Sequence, residues 1–118
     1  MALQSAEIQH FSASTDGKQI KVTATSTAGT TIHSTASGKI DQVFLYASSI
    51  TTADVVLTIE WGGVAAPDDN LIQTIPGKEG DFLMVSGKTL GNGKTIQAFA
   101  AVANTIMISG FVQRLTNE

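Results

Sequence analysis

Residues 53–61 have the sequence ADVVLTIEW and give the clearest indication of the fold class. Apolar side chains recur at every second position from Val55 to Trp61, which is the period of a half-buried β-strand. Gly62 and Gly63 end the run, as expected where a strand meets a turn. The preceding apolar segment, residues 39–47, alternates in the same way. Its inward side chains are Val43 and Leu45, or Phe44 and Tyr46 in the opposite register.

Further segments of the same kind occur along the rest of the chain, separated by glycine, proline, asparagine and serine. With the two above they make about eight strands at the spacing of sandwiches and barrels. Gly91-Asn92-Gly93 predicts a tight hairpin turn, and no segment shows a sustained helical period. We therefore predict an all-β protein with a single, jelly-roll-like sandwich of antiparallel strands. The other predicted strands are residues 18–25, 30–36, 71–75, 81–85, 95–102 and 105–115.

The chain length of 118 residues suits one compact domain. Residues 1–17 have Ile8 and Phe11 as their chief apolar anchors and end in a turn-like Asp16-Gly17, so we interpret them as an N-terminal arm. Residues 18–118 form the predicted sandwich. Two possibilities stay open for Phe11: it anchors the arm on a partner, or it folds back on its own sandwich.

Charge and composition exclude several classes of function. The chain has seven lysines and arginines and ten acids, for a net charge of -3. It has no cluster of basic residues of the kind that binds nucleic acid. The chain has no cysteine, which excludes disulfides and zinc–thiolate sites. It also shows neither a signal-peptide pattern nor an apolar run of membrane-spanning length. We expect a protein that is soluble where it is made, with a surface partly covered by neighbours.

Residues able to carry catalysis are sparse. His10 lies in the arm and His33 in a strand, where we expect it to point outward, and neither has metal-ligand spacing with another residue. No Gly-x-Ser-x-Gly elbow occurs, and Gly91–Thr95 lacks the earlier glycine of a phosphate-binding loop. We therefore predict no catalytic, cofactor-binding or metal-binding residue and no enzyme activity, and we do not expect a small-molecule ligand.

Two features keep alternatives open. The oxygen-rich loop Pro67-Asp68-Asp69-Asn70 is either a calcium site or, as we expect, an ordinary acidic turn. Trp61 is either a core residue, which we favour, or a platform for stacking on a sugar. The spatial separation of Asp41 and Glu60 does not follow from the sequence.

Four stretches carry a resemblance to a known class of proteins: Asp41–Ala47, Leu57–Gly63, Ala98–Ala101 and Gly110–Leu115. Together they resemble small virion proteins of tailed bacteriophages, in particular capsid decoration (cement) proteins. The resemblance spans roughly residues 30 to 115 and leaves out residues 1–17. It implies a homotrimer that binds the major capsid protein on the outer surface of the virion, after synthesis in the host bacterial cytoplasm.

Protein contacts are expected in the arm and in two loops. An aromatic or aliphatic anchor in a polar segment is typical of interfaces. A tail- or fibre-associated virion protein and a carbohydrate-binding sandwich are the alternative functions. The candidate contact residues are Ile8, Phe11, Ser49, Thr51, Pro67, Asp68, Asp69 and Asn70.

Overall fold

The computed structural model describes residues 4–117 of the chain and shows nine β-strands in that range. No helix occurs among these residues, and hence none that could span a membrane. The strands are β1 (Gln4–His10), β2 (Ile20–Lys21), β3 (Thr30–Ser34), β4 (Ile40–Ser49), β5 (Val55–Trp61), β6 (Asn70–Ile75), β7 (Phe82–Gly91), β8 (Thr95–Ala100) and β9 (Ile106–Asn117).

The strands form two antiparallel sheets. The first sheet has the order β1-β9-β4-β7, with the short β2 also paired to β9, and the second has the order β3-β8-β5-β6. Four strand pairs are nested in sequence, each enclosing the next, and they alternate between the two sheets. They are β1·β9, β3·β8, β4·β7 and β5·β6. This is the strand order of a jelly roll. The prediction of a single jelly-roll-like sandwich is therefore confirmed.

The core lies between the two sheets and follows the predicted alternation. In β4, Val43 and Leu45 point inward and are fully buried, which selects the first of the two possible registers. In β5, Leu57 and Ile59 do the same from the other sheet. Each such side chain stabilises the fold by about 1.5–3 kcal/mol.

The N-terminal segment is part of the sandwich, which corrects the expectation of a separate arm. β1 pairs with β9 along its whole length, from Gln4 opposite Asn117 to His10 opposite Phe111. Phe11 is 1% exposed, so it packs on its own sandwich rather than anchoring an arm on a partner. Residues 1–17 have few apolar side chains, so their alternation was too weak to predict a strand. The segment forms a strand by pairing with β9, which lies at the other end of the chain.

The turn at residues 91–94 has the predicted geometry but a different role. Asn92 and Gly93 both have positive φ, and the Lys94 N–H donates to the Gly91 carbonyl over 3.2 Å. However, β7 lies in the first sheet and β8 in the second, so the predicted hairpin is wrong. The turn instead carries the chain from one layer to the other.

Candidate protein-interaction surface

The outer side of the first sheet carries a group of apolar and aromatic side chains, which we call the apolar face. Directly paired residues of antiparallel strands point to the same side, so the registers place its members on one side of β1, β9, β4 and β7. Polar residues such as Gln42 and Gln113 lie between them on that side. At its centre the Phe44 and Phe111 rings stack, with centroids 4.9 Å apart and planes 16° from parallel. The members are Ile8, Ile40, Phe44, Tyr46, Leu83, Met107, Phe111 and Leu115.

The apolar face is exposed and carries little charge. Ile8 is 70% exposed, while Ile40 and Leu83 are close to half exposed. The strand positions that point to this side in the described range include no acidic residue, and His10 and Lys21 supply its basic groups. With strands about 4.8 Å apart and β4 ten residues long, this whole side of the sheet, polar positions included, covers about 650 Å². One partner of a stable protein interface contributes about 800 Å², so this side of the sheet is large enough to form most of one.

A buried polar cluster joins the two sheets beneath one end of the apolar face. Asp41 of β4 is fully buried and accepts hydrogen bonds from Arg114 Nε at 2.7 Å and Nη2 at 2.9 Å. His33 Nε2, from β3 in the other sheet, lies 2.6 Å from Asp41 Oδ2. The Ser12 N–H donates to His33 Nδ1 over 3.0 Å, so Nδ1 carries no proton. His33 is therefore a neutral imidazole that donates from Nε2 to Asp41.

The cluster shifts the pKa of both charged residues. Burial is the largest single influence on the pKa of Asp41 and acts to raise it, but the hydrogen bonds from Arg114 and His33 together hold this pKa below its usual value. The hydrogen bond to Asp41 raises the pKa of Arg114. Because His33 of the second sheet is bonded to Asp41 of the first and to the Ser12 N–H, the cluster holds the two sheets together.

The inward position of His33 contradicts the expectation that it points outward. The register of β3 against β8 shifts between Thr31 and His33, which marks a β-bulge. The bulge breaks the alternation, so consecutive Ile32 and His33 are both buried. One signal in the sequence pointed to the cluster: Asp41 stands in phase with the core residues Val43 and Leu45, where a charged side chain needs a buried partner.

A second buried acid, Glu60, has separate partners. Its carboxylate accepts hydrogen bonds from the Thr27 hydroxyl and, at 2.6 Å, from the Gly29 N–H. Glu60 lies on β5 of the second sheet and Asp41 on β4 of the first, and no hydrogen bond among the described residues joins them. Glu60 thus fixes the loop before β3 on the second sheet.

The structure does not bring the predicted contact residues together. Ile8 lies on the apolar face, whereas Phe11 is in the core. The other candidates lie before and after β5 and are separated by the length of that seven-residue strand. Ser49 ends β4 and Thr51 follows it in the loop before β5, whereas Pro67, Asp68 and Asp69 lie in the loop after β5 and Asn70 begins β6.

Several of these candidate residues form hydrogen bonds within the protein. Ser49 is 3% exposed, and its hydroxyl lies 3.1 Å from that of Thr51, which also donates to the Ala53 carbonyl. Asp69 Oδ2 accepts a hydrogen bond from the Ala65 N–H at 3.1 Å, as in an ordinary turn. Pro67 and Asp68 are exposed.

Trp61 packs partly buried against the core, as favoured from the sequence. The Lys88 Nζ lies 5.2 Å from the centroid of its ring. Within residues 4–117, no three acidic or histidine side chains converge in a way that could hold a metal ion. The same part of the chain has no ligand-sized cleft.

No protein-family model matches this chain, and neither the curated proteins nor the solved structures include a significant match. Function is therefore inferred from the geometry described above and from the resemblance in the sequence.

Proposed function

We propose that this protein is a structural component of a tailed-bacteriophage virion, a decoration protein that binds the outer capsid surface through its apolar face. The observation that carries the proposal is the stacked Phe44–Phe111 pair, which shares one side of the sheet with the exposed Ile8, Ile40 and Leu83. Exposed apolar side chains grouped in this way on a protein surface are typical of contact sites with other macromolecules. The resemblance to capsid decoration proteins supplies the class of partner, the major capsid protein.

The chemistry of the face defines what it fits. Aromatic and methionine side chains are enriched at interface centres, while lysine and the acids are depleted there. The basic groups on this side are His10, which is paired with Phe111, and Lys21, which is paired with Met107. They favour a neutral or acidic partner surface over a basic one. A homotrimer, as the resemblance implies, would add avidity to a modest single contact.

The proposal assigns no catalytic step to the chain. The three buried side chains best suited to acid–base chemistry, His33, Asp41 and Glu60, are all hydrogen-bonded to other groups of the protein. Their arrangement supports a structural role, because each one joins separate segments of the sandwich.

Co-sedimentation with undecorated heads of the phage that encodes the chain tests the proposal. Ile8→Lys and Leu83→Lys place a charge on the apolar face, so we expect each to weaken head binding at least tenfold. Matched controls are Val64→Lys and Val102→Lys, whose side chains are 44% and 52% exposed in the loops after β5 and β8. We expect both to bind as the wild type does.

Two results of this experiment would overturn the proposal. One is wild-type protein that does not bind heads, or binds isolated tails instead, which would favour the tail-associated alternative. The other is an equal effect of face and loop variants, since the apolar face would then have no special part in binding.

A further inference from the structure

The free edge of β6 is the feature on which a second inference rests. β6 is the last strand of the second sheet and pairs with β5 on one side only. Unpaired strand edges present rows of N–H and C=O groups that can pair with another chain, and natural proteins normally protect them.

The other three sheet edges carry such protection. β3 contains a bulge and is covered by the segment before it, where the Ala13 N–H donates to the Ile32 carbonyl. β7 shows two register shifts against β4 and includes Lys88. β1 carries Glu7, which lies opposite Arg114.

β6 has none of these devices. Its sequence, NLIQTI, contains no charged residue and no proline, and its register against β5 is regular from Asn70 to Ile75. Ile72, near its middle, is 64% exposed. A flat, uncharged and apolar edge of this kind is a site for pairing with another strand.

Two backbone hydrogen bonds define which backbone groups point to the free edge. The Trp61 N–H donates to the Asp69 carbonyl, and the Ala101 N–H donates to the Val56 carbonyl. Hydrogen-bonded and non-bonded pairs alternate along an antiparallel ladder. Counted along the ladder from either of these bonds, Ile72 and Thr74 fall in non-bonded pairs with β5. Their N–H and C=O groups therefore point away from β5. So does the carbonyl of Asn70, whose N–H is bonded to the Pro67 carbonyl.

We propose that β6 pairs antiparallel with β6 of a second copy of this chain, about a two-fold axis at Ile72. Four hydrogen bonds then form. The Ile72 N–H of each copy donates to the Ile72 carbonyl of the other, and each Thr74 N–H donates to the opposite Asn70 carbonyl. The two Ile72 side chains lie side by side on the outer surface of a continuous eight-stranded sheet.

A second copy is the occupant because the edge is complementary to itself. Donors at Ile72 and Thr74 meet acceptors at Ile72 and Asn70 without any charge to repel, and a two-fold contact closes on itself rather than growing into a filament. One strand pair buries less than the roughly 1,000 Å² of a stable interface, so the dimer forms at high concentration and dissociates on dilution. This contact goes beyond the proposed function, since it uses neither the apolar face nor a capsid.

Single cysteines test the register, because the chain has none of its own. Opposite Cα atoms of a hydrogen-bonded pair lie about 5.5 Å apart, within the range of a disulfide. We expect Ile72→Cys to form a disulfide-linked dimer at least tenfold faster than Thr74→Cys, which is off the axis, and Val102→Cys, which is equally exposed elsewhere. Equal rates for the three variants would overturn the proposal.

Light-scattering mass over a concentration series up to about 1 mM tests the contact without cysteines. Thr74→Pro removes an N–H that faces the free edge and leaves the ladder to β5 intact, so we expect it to abolish the doubling of mass seen for the wild type. Ile72→Lys should do the same, and Val102→Lys should not. The proposal fails if the wild-type mass does not double, or if neither edge variant changes it.

Discussion

His33 Nε2 lies 2.6 Å from Asp41 Oδ2, although the two residues belong to different sheets. With Arg114 bound to the same carboxylate and Ser12 bound to the other ring nitrogen, this contact joins four segments of the chain at one buried point. The sandwich is therefore held by a polar cluster as well as by its apolar core.

Asp41→Asn should destabilise the protein strongly. The substitution leaves the Arg114 guanidinium without its anion in a largely buried site, which costs about 3 kcal/mol of unfolding free energy. Asp68→Asn, in an exposed loop, is the matched control and should change it by less than about 0.5 kcal/mol. Urea unfolding measures both, and a similar small change in the two variants would show that the cluster does not stabilise the fold.

The same carboxylate predicts a pH dependence of stability. The pKa of Asp41 is lower in the folded protein than its usual value of 3.8, so the folded state holds the proton less tightly than the unfolded state. The resulting stabilisation is complete above the unfolded pKa and is lost as the pH falls through the folded pKa. Urea titrations from pH 6 to pH 2 should therefore show the stability gap between wild type and Asp41→Asn shrinking below about pH 4. A gap that stays constant would contradict this assignment.

Gly110→Ala should prevent stable folding. Gly110 has a φ of 141°, and a Cβ atom there would lie 2.0 Å from the Phe44 carbonyl oxygen of the neighbouring strand. We expect a loss of roughly 4 kcal/mol or more. Gly93→Ala, with a φ of 79° and open space around it, should cost about 1 kcal/mol. Thermal unfolding of both variants checks the contrast, and comparable losses would argue against the close approach of β4 and β9.

Trp61 gives a test of the carbohydrate alternative. It is the single tryptophan of the chain, partly buried and covered by Lys88, so glycans have little of its ring on which to stack. We expect its fluorescence to stay unchanged across a panel of oligosaccharides. Lys88→Met should leave the emission similarly insensitive, whereas a saturable shift with any glycan would favour the sugar-binding function.

The strands with strong alternation were predictable because side-chain period is a local property. The alternation in residues 53–61 predicted that Val55, Leu57 and Ile59 lie on one face, and it required no knowledge of the neighbouring strands. The structure confirms that placement. β1 was missed because its sequence, QSAEIQH, has few apolar side chains. It becomes a strand by pairing with β9, roughly a hundred residues away along the chain, and no local pattern encodes that pairing.

The candidate site was predictable only in part, for two physical reasons. Ile8 was identified as an exposed anchor, but the apolar face depends on registers among four strands that are distant in sequence. His33 was misplaced because a single bulge reverses the phase of a strand. Asp41 and Arg114 meet as directly paired residues of β4 and β9, and that pairing too is set by the sheet rather than by spacing.

A cryo-EM reconstruction of the phage head with this protein bound would show whether the apolar face contacts the capsid. We expect density for the sandwich on the outer capsid surface, with the Phe44–Phe111 pair and Ile8 turned toward a subunit of the shell. Density on the capsid in which this face points to solvent, or density confined to the tail, would contradict this expectation.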